Sequence, residues 1–212
     1  MKKAKKILLL VLCAALLVSA SVMGTLAYLT STAKVTNTFT VGSVNITMDE
    51  AKVNPYGAPV KKNAEDQYEI CDLAEAERGN ENQYKLIPGH TYVKDPTIHV
   101  VAGSEECYLF VKIVNNIDAL EAETTIAQQM TINGWTYYTG KDVWYKAAPV
   151  DARATAQDVV IFEQFTIAKT VTSTNLKQIN NATVIEVTAY AIQADGFASA
   201  QAAWDAAGSN FQ

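Results

Sequence analysis

"TVIEVTAYAIQ" (Thr183–Gln193) and "YLFVKIV" (Tyr108–Val114) are the two stretches that decide the fold class of this sequence. Both are rich in β-branched and aromatic residues, which β-strands favour. Successive side chains of a strand point to opposite faces, so Leu109, Val111 and Ile113 share one face of the shorter stretch. In the longer stretch, the same alternation places the apolar residues Ile185, Val187, Ala189 and Ala191 on one face. Both stretches are therefore predicted to be strands.

Three further segments have the composition of strands. They are Thr97–Val101, Val143–Ala147 and Asp158–Ile167. The first of them is expected to form a hairpin with Tyr108–Val114, because only "AGSEEC" separates the two. Turn-forming residues cluster around Gly134 and Gly140, so these regions are predicted to be loops.

Helical patterns are fewer and shorter than the strand patterns. They cover Leu120–Met130, a segment from Ser173 and a segment from Ser199, which Ser199 can cap and Gly208 can end. Many strands with a few short helices predict a mainly β protein, an antiparallel, jelly-roll-like β-sandwich.

The first 27 residues have the form of a secretory signal peptide. Four lysines precede the uncharged apolar run Ile7–Met23, and Thr25 and Ala27 are the small residues that a signal peptidase requires at positions −3 and −1. Cleavage is predicted after Ala27, so that Tyr28 becomes the first residue. The alternative is a retained membrane anchor, since about 20 apolar residues span a bilayer. The serines and threonines of the second half, and the lack of a basic stop-transfer cluster, favour cleavage.

Charge and length limit the function of the mature chain. Four of the 17 basic residues and none of the 22 acidic ones precede the cut, which leaves 185 residues with a net charge of −9. An acidic chain lacks the basic face that nucleic acids and anionic lipid surfaces require, so neither is expected as a partner, and no membrane association is expected after processing. This length can bury one sizeable core.

The two cysteines that remain after cleavage are Cys71 and Cys107. An extracellular location permits a disulfide between them, but one bridge in a chain of this length is optional bracing. A Cys71–Cys107 bridge and two free thiols are both consistent with the sequence.

A search for catalytic and metal-binding patterns favours a protein that is not an enzyme and needs no cofactor. The only histidines are His90 and His99, and no H-E-x-x-H pattern occurs. His90, Asp95, His99 and Glu105 have suitable types for a metal site but no recognised spacing, so His90 is interpreted as a turn residue and His99 as an outward strand residue. Ser104 lies in no G-x-S-x-G pattern.

Acidic and aromatic clusters have structural interpretations too. The acids between residues 63 and 82 lack the register of a calcium loop and are interpreted as a solvated face of a polar insertion. Tyr137, Tyr138, Trp144 and Tyr145 could stack on a sugar, although aromatic residues in strands more often fill a core or pair across a sheet.

The segment that follows the predicted cut changes its apolar phase. Val35, Phe39 and Val41 occupy odd positions, whereas Val44, Ile46 and Met48 occupy even ones. Because a strand's faces repeat every two residues, the slip requires a break, and Gly42 lies where it occurs. Two interpretations remain: a separate strand over residues 28–41, or one bulged strand that crosses between sheets.

The motifs of this region resemble those of a known family. "GTLAYLTSTAKVTNTFTVGSVNITMDE" (Gly24–Glu50), "IPGHTYVKDPTIHV" (Ile87–Val100) and "CYLFVKI" (Cys107–Ile113) are similar to the TasA and camelysin family of Gram-positive proteins, which a SipW-type signal peptidase processes. The resemblance covers about the first 50 residues and residues 86–115. It implies a jelly-roll domain secreted into the extracellular matrix, whose subunits form fibres by donating the N-terminal strand to a neighbour. A metalloprotease activity has been described for camelysin, but this sequence lacks a ligand set for it.

Together these observations predict a signal peptide (1–27), an assembly strand (28–42) and a jelly-roll-like domain (43–212) with an insertion near 63–82. The expected function is that of a secreted structural subunit of biofilm-matrix fibres, with itself, the signal peptidase and other matrix components as partners. Leu29, Val35, Phe39 and Val41 are the expected groove-filling residues of the assembly strand, with Gly42 at its end. The alternatives are a monomeric secreted or cell-surface module that binds carbohydrate and, third, a secreted metalloprotease.

The cleavage assignment makes a direct prediction. N-terminal sequencing of the secreted protein is expected to find Tyr28 first, and replacing Ala27 with a bulky residue is expected to leave the signal attached, because the −1 position accepts only small side chains. A start several residues from Tyr28 would contradict the assignment.

Overall fold

A computed structural model of the protein describes residues 30–34, 37–40, 44–122, 124–178 and 185–211. Its strands are β1 (Thr30–Lys34), β2 (Asn37–Thr40), β3 (Ile46–Ala51), β4 (Val60–Lys62), β5 (Tyr68–Ile70), β6 (Arg78–Gly79), β7 (Thr91–Val93), β8 (Thr97–Val100), β9 (Cys107–Asn115), β10 (Trp135–Tyr138), β11 (Val143–Lys146), β12 (Gln157–Val160), β13 (Gln164–Thr166) and β14 (Ile185–Gln193). Its α-helices are α1 (Ile126–Ile132), α2 (Ser173–Gln178) and α3 (Ala200–Ala207). Short 3₁₀ turns lie at Leu73–Glu75, Asp118–Leu120 and Gly208–Phe211.

Two larger sheets and two small ones contain these strands. The six-stranded sheet has the order β10-β11-β9-β14-β1-β2, and the four-stranded sheet has the order β12-β8-β3-β6. The pairs β13-β7 and β4-β5 form the small sheets. All pairings between the described strands are antiparallel. The prediction of a mainly β protein with antiparallel sheets and a few short helices is confirmed; the jelly-roll connectivity stays a prediction.

The central pair of the larger sheet is β9 and β14. They are the two stretches that decide the fold class in the sequence. Nine consecutive residues of one strand are paired with nine of the other, from Ile185 opposite Asn115 to Gln193 opposite Cys107. One face of this pair packs against the four-stranded sheet. Leu109 and Ala189 of the pair lie in the same buried cluster as Ile46 and Ile98 of the facing sheet. The predicted alternation along both strands is therefore confirmed.

Helix α3 covers the opposite face of the same strands. Phe110 and Tyr190 pack against Trp204 of the helix, with ring centroids 4.9 and 5.6 Å apart. The Ser199 side chain accepts a hydrogen bond from the backbone N–H of Ala202, and Gly208 follows the last helical turn, as predicted. Both faces are buried at residues 107–111 of β9 and 189–192 of β14, and the side chains there are apolar on both sides.

The predicted hairpin between Thr97–Val101 and Tyr108–Val114 is wrong. β8 belongs to the four-stranded sheet and β9 to the six-stranded sheet, so the connection between them crosses from one sheet to the other. Side chains from both strands meet in the core instead of lying side by side in one ladder. Alternation identifies the faces of a strand but not its neighbour, and a short connection between two sheets has the same sequence appearance as a hairpin loop.

Three other predicted boundaries differ from the structure. The predicted strand over residues 158–167 is two strands, β12 and β13, which pair with different strands, β8 and β7. The segment opposite the break contains Pro96, which has no N–H to donate to the ladder. The helix predicted from Leu120 begins only at Ile126, where Thr125 and Gln128 form a capping box. Strand β10 was not predicted, because it lies between the turns at Gly134 and Gly140 (φ 77° and 83°).

The segment after the predicted signal peptide forms a hairpin. β1 pairs with β2 from Ser31 opposite Thr40 to Lys34 opposite Asn37. The prediction of one continuous strand over residues 28–41 is therefore wrong, since β1 and β2 are antiparallel and the chain reverses between Lys34 and Asn37. Val44, Ile46 and Met48 are buried in the even phase that the sequence indicates. β2 and β3 lie in different sheets, so the chain changes sheets in the region of the phase slip.

Candidate functional site

The N-terminal hairpin occupies one edge of the main sheet. β1 pairs with β14 from Thr30 opposite Ile192 to Ala33 opposite Ala189, and β2 forms the outer strand. These contacts are backbone pairings between a segment near the start of the chain and the strand at the centre of the fold. An edge strand exposes a row of N–H and C=O groups, and pairing with another strand satisfies them. The β14 edge therefore accepts a strand from the N-terminal segment.

A cavity lies beside the first residues of β14. Its volume is about 400 Å³, and it opens between the start of β14, the end of β3 and the segment at residues 79–83. Met48, Pro96, Ile185 and Val187 provide its apolar walls. The cavity thus lies beside the start of the strand that β1 pairs with at Ala189–Ile192.

A buried ion pair lines this cavity, together with the polar residues Asp49, Asn80, Glu81, Asn82, Gln83 and Glu186. The Lys94 Nζ donates to Glu50 Oε2 at 2.6 Å, and these side chains are only 10% and 7% exposed. The Asn82 amide donates to Glu50 Oε1 and to the carbonyl of Ala51, both at 2.9 Å. These groups bind one another, and through Asn82 they attach the polar insertion to β3.

A second cluster of charged residues lies at the four-stranded sheet, close to the end of β3. Arg78 Nη1 donates to Asp95 Oδ2 at 2.8 Å, and Asp95 Oδ1 accepts the backbone N–H of Ala51 at 2.6 Å. Arg78 Nε also donates to Asp49. Because Arg78 lies on the short strand β6, these bonds hold the end of the insertion against β3.

His99 bridges three neighbouring strands of the four-stranded sheet. Its Nε2 lies 2.9 Å from Asp49 Oδ1 on β3, and its Nδ1 lies 2.7 Å from Asp158 Oδ1 on β12. Burial disfavours the charged imidazole, but the hydrogen bonds that it donates to both carboxylates outweigh this effect and raise the pKa of His99. Burial also acts against the charged form of Asp49, yet its bonds to His99 and Arg78 lower the pKa of that carboxyl. His99 is half-buried between two acids, so its interpretation as a simple outward residue is incomplete.

The other residues considered as metal ligands or nucleophiles have local roles. His90 Nε2 lies 2.7 Å from the carbonyl oxygen of Tyr56, and His90 follows a turn, as predicted. The Ser104 hydroxyl is buried, donates to the Asn45 carbonyl at 3.2 Å and accepts the Asn45 N–H at 3.1 Å. Glu105 lies on an exposed loop. Within the described residues, no three His, Cys, Asp or Glu side chains are arranged to hold a metal ion.

The two cysteines are free thiols in the structure, so the Cys71–Cys107 bridge does not form there. Cys107 is fully buried at the start of β9, whereas Cys71 follows β5 in the polar insertion. Burial raises the pKa of Cys107 to about 12, which keeps it in the unreactive thiol form.

The aromatic residues of β10 and β11 pair across the sheet. The rings of Tyr137 and Trp144 lie 5.3 Å apart, and those of Tyr138 and Tyr145 lie 6.1 Å apart. Tyr145 is buried under α3, whereas Tyr137 is 44% exposed. Cross-strand pairing accounts for these positions.

The expected acidic face of the insertion is exposed. Glu65, Asp66, Glu69, Asp72 and Glu75 are all solvent-exposed. Asp66 and Glu75 form exposed ion pairs with Lys62 and Lys61. Arg78 and Asn82, which anchor this insertion, are not among the predicted site residues.

The predicted processing and assembly residues fall mostly outside the described part of the chain. Thr25, Ala27, Tyr28, Leu29, Val35, Val41 and Gly42 are outside it, and Phe39 is described only as a backbone position of β2, opposite Thr32. Their roles stay predictions. Within the described residues no helix is long and apolar enough to cross a membrane.

The buried ion pair was missed, although the sequence contains a signal for it. Val44, Ile46 and Met48 set a buried phase that continues to Glu50. A charged residue on a buried face requires a partner, so Glu50 predicts a nearby cation.

The fold and this edge define a mainly β protein with two facing antiparallel sheets and an N-terminal strand added at the side. Comparison with models of known protein families found no match for the chain, and searches among curated proteins and solved structures found none either.

The His99 bridge predicts a specific pH dependence. A group whose pKa is raised on folding stabilises the native state below its unfolded pKa, and this contribution is lost as pH rises through the folded pKa. The difference in free energy of unfolding between the wild type and His99→Gln is expected to be larger near pH 5.5 than near pH 9, since the ordinary pKa of histidine is about 6.5. Urea denaturation at both pH values measures it. An equal difference at both would contradict the charged bridge.

The buried pair predicts a large effect of removing one partner. Lys94→Met leaves the Glu50 carboxylate buried without a countercharge and is expected to lower the free energy of unfolding by about 3–5 kcal/mol. The matched control is Lys61→Met, which breaks an exposed pair with Glu75 and should change stability little. Urea denaturation compares the two variants, and equal effects would show that the buried pair has no special role.

Proposed function

We propose that the protein is a secreted structural subunit of extracellular matrix fibres, whose subunits join by exchanging the N-terminal strand. The observation that carries the proposal is the pairing of Thr30–Ala33 with Ala189–Ile192 at the edge of β14. The strand that fills this edge comes from the beginning of the chain, directly after the predicted cleavage site. It can therefore leave its own sheet and add to the sheet of a neighbour.

The energetics of exchange favour this mechanism. When an identical segment moves from its own domain to that of another copy, the same backbone partners are available, so the exchange costs little. A donated strand satisfies the acceptor's edge N–H and C=O groups, while alternate side chains enter the acceptor. Lys34 is the only charged residue between Tyr28 and Gly42. A segment with one charge can be buried in a neighbour at a lower desolvation cost than an ordinary polar terminus.

The wider assignments follow from the same proposal. Secretion depends on the predicted signal peptide, and the partners are other copies of the chain, the signal peptidase and further matrix components. The jelly-roll connectivity and the relation to the TasA and camelysin family are part of this proposal. No catalytic step is assigned.

A second candidate function is a monomeric module that binds carbohydrate. The exposed ring of Tyr137 beside Trp144 favours it, because an exposed aromatic face can stack on a sugar. The two functions differ in the behaviour of the pure protein, since a binding module stays monomeric at all concentrations.

Strand exchange predicts the effect of removing the N-terminal segment. The mature protein is expected to form filaments with increasing concentration, whereas a chain lacking residues 28–40 is expected to fold but remain monomeric, because it has no strand to donate. Negative-stain microscopy and analytical ultracentrifugation measure assembly, and circular dichroism measures folding.

A second variant keeps this experiment informative if the truncated chain fails to fold. Phe39→Asp in the full mature chain should also block filaments, since it would bury an unpaired charge in the acceptor. Filaments from the truncated chain would show that other contacts drive assembly. A mature protein that stays monomeric throughout the concentration range would contradict the proposal.

A further inference from the structure

The buried carboxylate of Glu50 contacts two side chains that can react with each other. Its Oε2 accepts a hydrogen bond from Lys94 Nζ at 2.6 Å, and its Oε1 accepts one from Asn82 Nδ2 at 2.9 Å. A lysine amine is a nucleophile once it has lost a proton, and the carbon of a carboxamide is an electrophile. One carboxylate therefore holds a nucleophile on one of its oxygens and an electrophilic group on the other.

Separate parts of the fold fix these three groups. Glu50 lies on β3, Lys94 follows β7, and Asn82 lies at the end of the polar insertion. The Nδ2 of Asn82 also donates to the Ala51 carbonyl at 2.9 Å, and its Oδ1 accepts the N–H of Val53 at 3.0 Å. Because an amide nitrogen only donates and an amide oxygen only accepts, one orientation of the side chain satisfies all of these bonds. The nitrogen of Asn82 therefore points towards Glu50.

Burial makes charges costly at this site. The side chains of Lys94 and Glu50 are only 10% and 7% exposed. The pKa of the neighbouring Tyr84 is raised by burial and, in the same direction, by the charge of Glu50. Transfer of a proton from the ammonium to the carboxylate removes both charges and leaves a free amine and a carboxylic acid. The free amine is the form that can attack a carbonyl carbon.

We propose that Lys94 and Asn82 become joined by an amide bond between their side chains, with Glu50 as the proton carrier. The Lys94 ammonium first gives a proton to Glu50, and the neutral Nζ then attacks Asn82 Cγ to form the new C–N bond. Glu50 passes its proton to Nδ2 and takes one from Nζ. The bond between Cγ and Nδ2 breaks, and Nδ2 leaves as ammonia with the bonding electron pair. The products are a secondary amide, ammonia and protonated Glu50.

The surroundings of Asn82 assist this step. Negative charge develops on its Oδ1 during the attack, and the N–H of Val53 already donates to this oxygen. Glu50, Asn82 and Lys94 all line the cavity of about 400 Å³, which has room for the released ammonia. The reaction uses no cofactor or oxidant, because the three side chains supply all of its atoms.

The bond would attach the polar insertion covalently to the core. Asn82 ends the insertion and Lys94 is buried next to β7, so the amide replaces a hydrogen-bonded contact with a permanent one. Cys71 and Cys107 are free thiols in the structure and give no such brace. The inference goes beyond strand exchange and does not depend on it, since Lys94 and Asn82 lie outside the N-terminal hairpin and β14.

Peptide mapping of the purified protein by mass spectrometry tests the bond. Trypsin cuts after arginine and lysine, but not after a lysine whose side chain is acylated. The main product is expected to be peptide 79–85 linked to peptide 86–112, uncut at Lys94, with the sum of the two masses less one ammonia. Separate peptides 79–85, 86–94 and 95–112 would overturn the proposal.

Two other chemical outcomes are distinguished by the same map. Loss of ammonia from an unlinked peptide 79–85 would indicate a succinimide at Asn82. A link from Lys94 to peptide 35–52, with loss of one water, would indicate an amide with Glu50. Either result would contradict attack on Asn82.

Substitutions test the role of each partner. Lys94→Arg keeps the positive charge without the amine, and Glu50→Gln keeps a similar shape but cannot take up the proton, so both are expected to lose the linked peptide completely. The matched control is Lys61→Arg, which changes an exposed pair with the same 2.6 Å separation and should retain the link. Circular dichroism checks that each variant folds, and the wild-type map decides by itself whether the bond exists. A link that persists in folded Glu50→Gln would contradict proton transfer through Glu50.

Discussion

The pairing of β9 with β14 is the interaction on which the rest of the structure depends. Nine consecutive residue pairs join these strands. At residues 107–111 and 189–192 both faces are buried, one by the four-stranded sheet and the other by α3. An unpaired outer edge on such a strand would be energetically costly, because its N–H and C=O groups lie beside an apolar core. β11 pairs with the outer edge of β9 at Phe110 and Val111, and β1 pairs with that of β14 at Ala189–Ile192. The N-terminal segment thus pairs with the edge of β14, and we propose that assembly occurs at this edge.

Charge pairs, in contrast, hold the polar insertion to the four-stranded sheet. Arg78 and Asn82 extend from the insertion to Asp95 and Glu50, and Lys94 completes the buried pair. Breaking such a pair costs more than forming it contributes, because a charge left alone in the interior is strongly disfavoured. These residues therefore fix where the insertion lies, and Glu50, Asn82 and Lys94 also line the cavity next to β14. The start of β14 and the insertion thus border the same cavity.

The alternation of apolar residues along strands and the residues that mark helix ends made much of this fold predictable. The faces of Tyr108–Val114 and Ile185–Gln193, the cap at Ser199 and the buried even phase of Val44, Ile46 and Met48 are local properties, and the structure has them as predicted. The partners of strands are not local properties. The crossing between β8 and β9 and the break opposite Pro96 depend on residues far apart in the chain. The candidate site shows the same division, since the sequence indicates the proposed donor segment but not the β14 edge with which it pairs.

The central claim is that the β14 edge accepts the N-terminal segment from another molecule. Hydrogen exchange on a chain lacking residues 28–40, with and without a peptide of residues 28–41, tests it directly. The account predicts that amides of β14 facing away from β9 exchange rapidly in the truncated chain and become protected when the peptide is added, while the amides between β9 and β14 stay protected throughout. Exchange at β14 that the peptide leaves unchanged would contradict the claim.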